Sequence, residues 1–130
     1  MELEIFLGDN KKVNASINGS VIKTDQSVKN GGEGTAPEPF NLFLASIGTC
    51  AGVYVKSFCD KRGIDASNIK IVQRHRFNQQ TRLIDNIELE AVLPDDFPEK
   101  YRKAIISAMD LCTVKRHLKD PPLISTITSK

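Results

Sequence analysis

Apolar and polar positions alternate at the start of the chain, with Leu3, Ile5 and Leu7 in one phase and Glu2, Glu4 and Phe6 in the other, ahead of Gly8-Asp9-Asn10. Val13, Ala15 and Ile17 repeat the pattern up to Asn18-Gly19, and Val21 and Lys23 resume it. A period of two marks a strand with one buried face. Asn18-Gly19 is a two-residue hairpin signal, because both turn positions need positive φ. Residues 1–25 therefore predict three short antiparallel strands. From Gln26 to Pro39 the periodicity stops, and Gly31, Gly32, Gly34, Pro37 and Pro39 mark a loop.

The pattern then changes. Phe40 to Val55 is apolar on nearly every side, and Lys56, Asp60, Lys61 and Arg62 follow. This predicts one long helix that starts near Pro39, whose missing N–H suits a first turn, and stops at Gly63. Its first half should be buried and its second half should reach water. Ile69–Phe77 and Leu83–Leu93 read as a second hairpin around the polar turn 78–82, with Ile87, Leu89, Ala91 and Leu93 in alternation. Pro94-Asp-Asp-Phe-Pro98 opens a second helix, in which Tyr101, Ala104, Ile105, Ala108 and Cys112 recur at the spacing of one buried face. Pro121-Pro122 ends it, and Leu123–Thr128 reads as a last strand. The order is βββ-α-ββ-α-β, an α+β arrangement of antiparallel strands around a buried helix.

Composition narrows the class without naming a partner. A chain of 130 residues fits one domain, 1–130, and 18 Lys+Arg against 16 Asp+Glu leave a charge of +2 that announces neither nucleic acid nor membrane. The acidic N-terminus lacks the basic flank and long apolar region of a signal peptide. The apolar run around Cys50 is interrupted by Ser46, Gly48 and Thr49 and falls short of the ~20 residues of a membrane span. Three cysteines, an odd number, argue against a disulfide framework and for a reducing, cytoplasmic compartment.

The candidate chemistry lies in those cysteines. Cys50 and Cys59, nine residues apart on one helix, would lie on opposite sides and about 13 Å apart, too far to bridge. That leaves Cys112 as the candidate partner of Cys50, beside the alternative that both are packing atoms of the core. Gly48 and Gly52 flank Cys50 at helical positions where glycine costs about 1 kcal/mol against alanine, so something approaches that helix closely, a partner element or a substrate.

Gly31-Gly32, then Pro37-x-Pro39-x-x-Leu42-x-Leu44-x-Ser46-x-Gly48-x-Cys50, and later Cys112-x-Val114-x-x-x-Leu118 before a terminal strand, resemble the OsmC/Ohr family of osmotically inducible and organic hydroperoxide resistance proteins. The resemblance implies an intertwined homodimer, with β-sheets wrapped around long central helices and active sites at the subunit interface. It implies that Cys50 attacks a hydroperoxide and that Cys112 resolves the sulfenic acid as a disulfide. A dithiol reductant, lipoyl or thioredoxin-like, then reopens that bond, with no metal or organic cofactor. A thiolate nucleophile and a resolving thiol that forestalls over-oxidation suit that chemistry.

Two positions depart from the hydroperoxidase pattern. Phe40 stands near the expected glutamate, with Glu38 out of step, and no arginine precedes Arg62. Arg62, Arg74, Arg76, Lys23 and Lys29 are the remaining candidates for a cation that activates the thiol. The chain thus resembles a general OsmC-like relative. Its alternative role is to bind a small hydrophobic ligand, or to sense redox state, without turnover. Competing signals are weaker. Arg74 and Arg76 share a strand face with Lys70, as on a solvated surface, and His75 shares the face of Ile69, Ile71 and Phe77 as a core or interface histidine. His117, five residues after Cys112, has no metal-ligand spacing with it.

Overall fold

Asn18 and Gly19 have positive φ, 48° and 82°, as the hairpin signal requires, and Ile17 pairs with Ser20 across the turn. The structure, a computed structural model, describes residues 1–129. Its strands β1 (Glu4–Leu7), β2 (Val13–Ile17) and β3 (Ser20–Thr24) form one antiparallel sheet in that order. The chain divides into two compact units, one ending at Ala45 and the other starting at Ser46.

In the first unit the loop after β3 is shaped by Asp25, which is fully buried. Its carboxylate accepts the hydroxyl and backbone N–H of Thr35 and the backbone N–H of Gln26. These bonds, the Thr35 hydroxyl first, hold its pKa down at about 2. Gly32 passes so close to the Gln26 carbonyl and the Asp25 carboxylate that a Cβ would collide with both, so only glycine fits. Glu38 is held in the same loop, accepting from Asn30 Nδ2 at 2.7 Å.

The long helix forms over the expected residues, α1 spanning Pro39–Lys61, but the expectation that its first half is buried is corrected: between Phe40 and Cys50 only Ile47 is buried, and Ala51, Val55, Phe58 and Cys59 of the second half carry the core contacts. It ends in a glycine-terminated cap, with Gly63 at φ 65°. The N–H of Gly63 donates to the Asp60 carbonyl and that of Ile64 to the Cys59 carbonyl. Its buried positions, Ile47, Ala51, Val55, Phe58 and Cys59, recur every three or four residues and define one core-facing stripe. By length and apolar character α1 would also suffice to cross a bilayer, with a mean hydropathy of 1.5 over 18 residues. The buried stripe instead makes it a core helix of the second unit.

There β4 (Lys70–Asn78) and β5 (Leu83–Val92) pair antiparallel. Ile71, Leu89 and Ala91 turn inward onto a core of Ala51, Val55, Phe58, Cys59, Phe97, Ile105 and Met109. On the opposite face Arg74 pairs with Glu88 at 3.1 Å and Glu90 at 2.8 Å, and Arg76 with Asp85 at 2.8 Å. That is the solvated, charge-compensated strand face expected of this segment. His75, by contrast, is exposed and bonds Gln73 at 2.7 Å through its Nε2. Of the two roles expected of it, core or interface, the core one is not met within the chain.

The α+β class with antiparallel sheets holds, and two elements differ from the expected order. The second helical region is broken into α2 (Arg102–Asp110) and α3 (Thr113–Lys119). Leu123–Thr128 forms no strand, and Leu123, Ile124 and Ile127 are 99%, 85% and 91% exposed. A strand exists only through pairing with a neighbouring strand, and among the described residues no strand pairs with this segment.

Candidate functional site

Cys50 lies on the flank of α1, half-buried, between the core stripe and the exposed side. Ile47 precedes it by three residues and Tyr54 follows it by four, so both are its neighbours on the helix surface. These two positions show what stands opposite that flank. Tyr54 Oη lies 3.2 Å from Thr113 Oγ1. Ile47 lines a cleft of about 380 Å³ together with Ile87, Leu89, Met109, Lys115 and Leu118. Tyr54, one helical turn from Cys50, is thus bonded to the start of α3.

Cys112 stands at that start. The expectation that it continues the apolar face of the second helix is corrected: α2 closes at Asp110, and Cys112 has extended backbone angles, φ −60° and ψ 143°. Its Sγ accepts the backbone N–H of Lys115 at 3.3 Å, so the thiol takes the capping position that serine or aspartate usually fills. The side chain is fully buried. One extended residue between two helical turns thus leaves Cys112 buried, while Lys115 and Leu118 of α3 line the cleft. Both Cys50 and Cys112 are free thiols. Cys59 is free and fully buried as well, and burial pushes its pKa up, with the Asp60 carboxylate adding to the effect. It is a packing thiol of the core.

Three of the candidate cations, Arg62, Arg74 and Arg76, are engaged by other groups. Arg62 lies over the Phe58 ring at 3.7 Å and donates to the Phe58 carbonyl. It lies about 18 Å along the helix axis from Cys50, twelve residues on. Arg74 and Arg76 are in the ion pairs of the outer strand face. Lys23 and Lys29 belong to the first unit. Lys115 is a cation that sequence reasoning missed: it borders the cleft and its Nζ pairs with Asp110 at 2.8 Å. Tyr54 and Thr113 were missed too. The signal available for Tyr54 was a hydroxyl one turn after Cys50 in an otherwise apolar run. His117 donates through Nδ1 to the Thr113 carbonyl at 2.7 Å, closing its own helical turn. Among the described residues, no three His, Cys, Asp or Glu side chains gather as a metal site.

Gly48 explains itself in this setting. A Cβ there would come within 2.5 Å of Gln73 Oε1, so the β4 amide lies directly on the helix backbone. At Gly52 the nearest atom, Ile71 Cδ1, would be at an ordinary 3.7 Å, and no close approach requires glycine.

The model of the OsmC-like protein family matches residues 32–127, from the Gly31-Gly32 loop through both cysteines to the C-terminal segment. The chain belongs to the OsmC-like protein family. Solved structures repeat its fold. An OsmC-like protein from Mycoplasma pneumoniae has 12% identity and a TM-score of 0.71, covering 92% of this chain and 87% of that one. A hypothetical protein from Aquifex aeolicus VF5 has 25% identity and a TM-score of 0.67, again covering 92% and 87%. An organic hydroperoxide resistance protein OsmC from Legionella pneumophila has 14% identity and a TM-score of 0.56, covering 91% and 88%. No curated protein matches the chain at a significant level. As an OsmC-like chain, it carries Cys50 on a helix flank and Cys112 at a helix start, and the Tyr54–Thr113 hydrogen bond joins the two elements.

Proposed function

We propose that this OsmC-like protein reduces organic hydroperoxides in oxidative stress defence, as a cytoplasmic homodimer, with Cys50 as nucleophile and Cys112 as resolving thiol. The observation that carries the reading is the hydrogen bond between Tyr54 and Thr113, which supports a meeting of the Cys112 segment with the helix flank of Cys50. The Legionella neighbour is named for organic hydroperoxide resistance, and the proposal extends that activity to this chain. The Cys50 thiolate attacks a peroxide oxygen, the O–O bond breaks, and an alcohol leaves as Cys50 becomes a sulfenic acid. The Cys112 thiol attacks that sulfur, water departs and a disulfide remains. A lipoyl or thioredoxin-like dithiol reduces it, so the cycle uses no metal or organic cofactor. The apolar cleft beside Ile47 supports a substrate with a hydrocarbon body.

A second reading has its own support, since Arg62, Arg74 and Arg76 are all engaged elsewhere. In it the cleft holds a small hydrophobic ligand, or the thiols sense redox state, without turnover. One assay separates the two: reduced protein is given cumene hydroperoxide and an excess of dithiol, and dithiol consumption is followed. Catalytic consumption is the expected result. Consumption no faster than with Cys50→Ser would overturn the peroxidase reading.

A further inference from the structure

Cys112 is buried and capped, yet under the proposed function its sulfur must meet a sulfenic acid on another helix before a second peroxide does. Its own bonds, Sγ accepting from the Lys115 N–H and its N–H donating to the Met109 carbonyl, lie within the α2–α3 segment and do not reach α1. Leu111 and Cys112 leave the helical path between α2 and α3, where Leu111 N–H donates to the Ala108 carbonyl and Lys115 pairs with Asp110 across the break. The contact that ties this break to α1 lies one residue further on, where Thr113 Oγ1 meets Tyr54 Oη at 3.2 Å across 59 residues of sequence. Tyr54 lies one helical turn from Cys50 and Thr113 is adjacent to Cys112, so this bond joins the two thiol-bearing segments.

We infer that Tyr54 and Thr113 are positioning residues for the resolving step, a latch that holds the Cys112 segment against the Cys50 flank. The latch rests on the peroxidase reading and adds to it two residues that touch neither peroxide nor sulfur. It affects what happens after Cys50–SOH has formed. Either the Cys112 thiol displaces water to give the disulfide, or a second hydroperoxide transfers an oxygen, leaves as an alcohol and converts the sulfenic acid to sulfinic acid. A weakened latch lowers the first rate and leaves the second to the peroxide concentration.

The bond is solvent-accessible, so its loss should slow closure by about two- to fivefold, the lower part of what a net hydrogen bond supplies. The experiment oxidises reduced full-length protein with a graded excess of cumene hydroperoxide and measures, by mass spectrometry, the partition of Cys50 between disulfide and sulfinic acid. This ratio does not depend on how fast Cys50 first reacts. Tyr54→Phe keeps the ring and loses the hydroxyl, and Thr113→Val keeps the shape and loses the oxygen. Each should shift the partition toward sulfinic acid by about two- to fivefold, and the double variant should shift it no further than either alone. Thr113→Ser, which keeps a hydroxyl, should restore the wild-type ratio, a rescue that general loosening of the fold would not produce. Wild-type protein that bridges Cys50 to Cys112 while Tyr54→Phe partitions identically would overturn the latch alone. Wild-type protein that never forms the bridge would overturn the latch and the peroxidase reading together.

Discussion

Among single residues, the three cysteines divide by environment. Cys59 is enclosed by the core and its thiol is held protonated by burial, so Cys59→Ala should cost about 1–2 kcal/mol of stability and leave peroxide-dependent dithiol consumption intact. Cys50→Ser should abolish that consumption, because an alcohol in the same place is not a nucleophile near neutral pH. Thermal melts and dithiol assays on the two variants check both statements. Asp25 gives a prediction of another kind. Its folded pKa of about 2 lies below the ordinary 3.8, so its ionised form contributes stability above the ordinary value. That contribution is lost as pH falls from about 4 toward 2. The Tm gap between wild type and Asp25→Asn should be full at pH 6 and shrink through this acid window. A gap that stays constant down to pH 2 would show that the buried carboxylate is not the group responsible.

Among helices and strands, what was legible in the sequence is what local chemistry decides. The Asn18-Gly19 turn, the start of α1 at Pro39, its end at Gly63 and the β4–β5 hairpin follow from φ preferences and periodicity, and all form. The break between α2 and α3 was not legible, because Leu111-Cys112 contains no glycine or proline. A thiol that accepts a backbone N–H is also not a residue type that announces a cap. The cysteine pair was nominated by resemblance, whereas Tyr54, Thr113, Asp110 and Lys115 emerge only when the chain folds, since their partners lie on other turns. The glycines of α1 make the same point quantitatively. Gly52→Ala adds a Cβ into ordinary contact with Ile71, so helix propensity should prevail and raise stability by about 0.5–1 kcal/mol. Gly48→Ala must displace the Gln73 amide and should gain less or lose outright. Urea unfolding of the pair checks it, and equal gains would mean that the Gln73 amide moves away at no cost.

Taken whole, the chain by itself leaves many large apolar side chains in water. Only 28% of the most apolar window of α1 is buried, and Phe40, Phe43, Val53, Leu111, Leu118, Leu123, Ile124 and Ile127 are all exposed. Exposed apolar side chains in such number support the proposed homodimer and give the C-terminal segment a reason for its own. Sedimentation should report a dimer at micromolar concentration, and Val53→Glu on the open side of α1 should shift it toward monomer. Monomeric wild-type protein would remove the dimer from this picture. Whether the OsmC-like chain works through Cys50 and Cys112 as a pair is decided by peptide mapping of reduced protein after one equivalent of cumene hydroperoxide. The expected product is a Cys50–Cys112 disulfide within each chain, with Cys59 unmodified. Recovery of Cys50 and Cys112 unbridged, with the peroxide unspent, would refute the pairing.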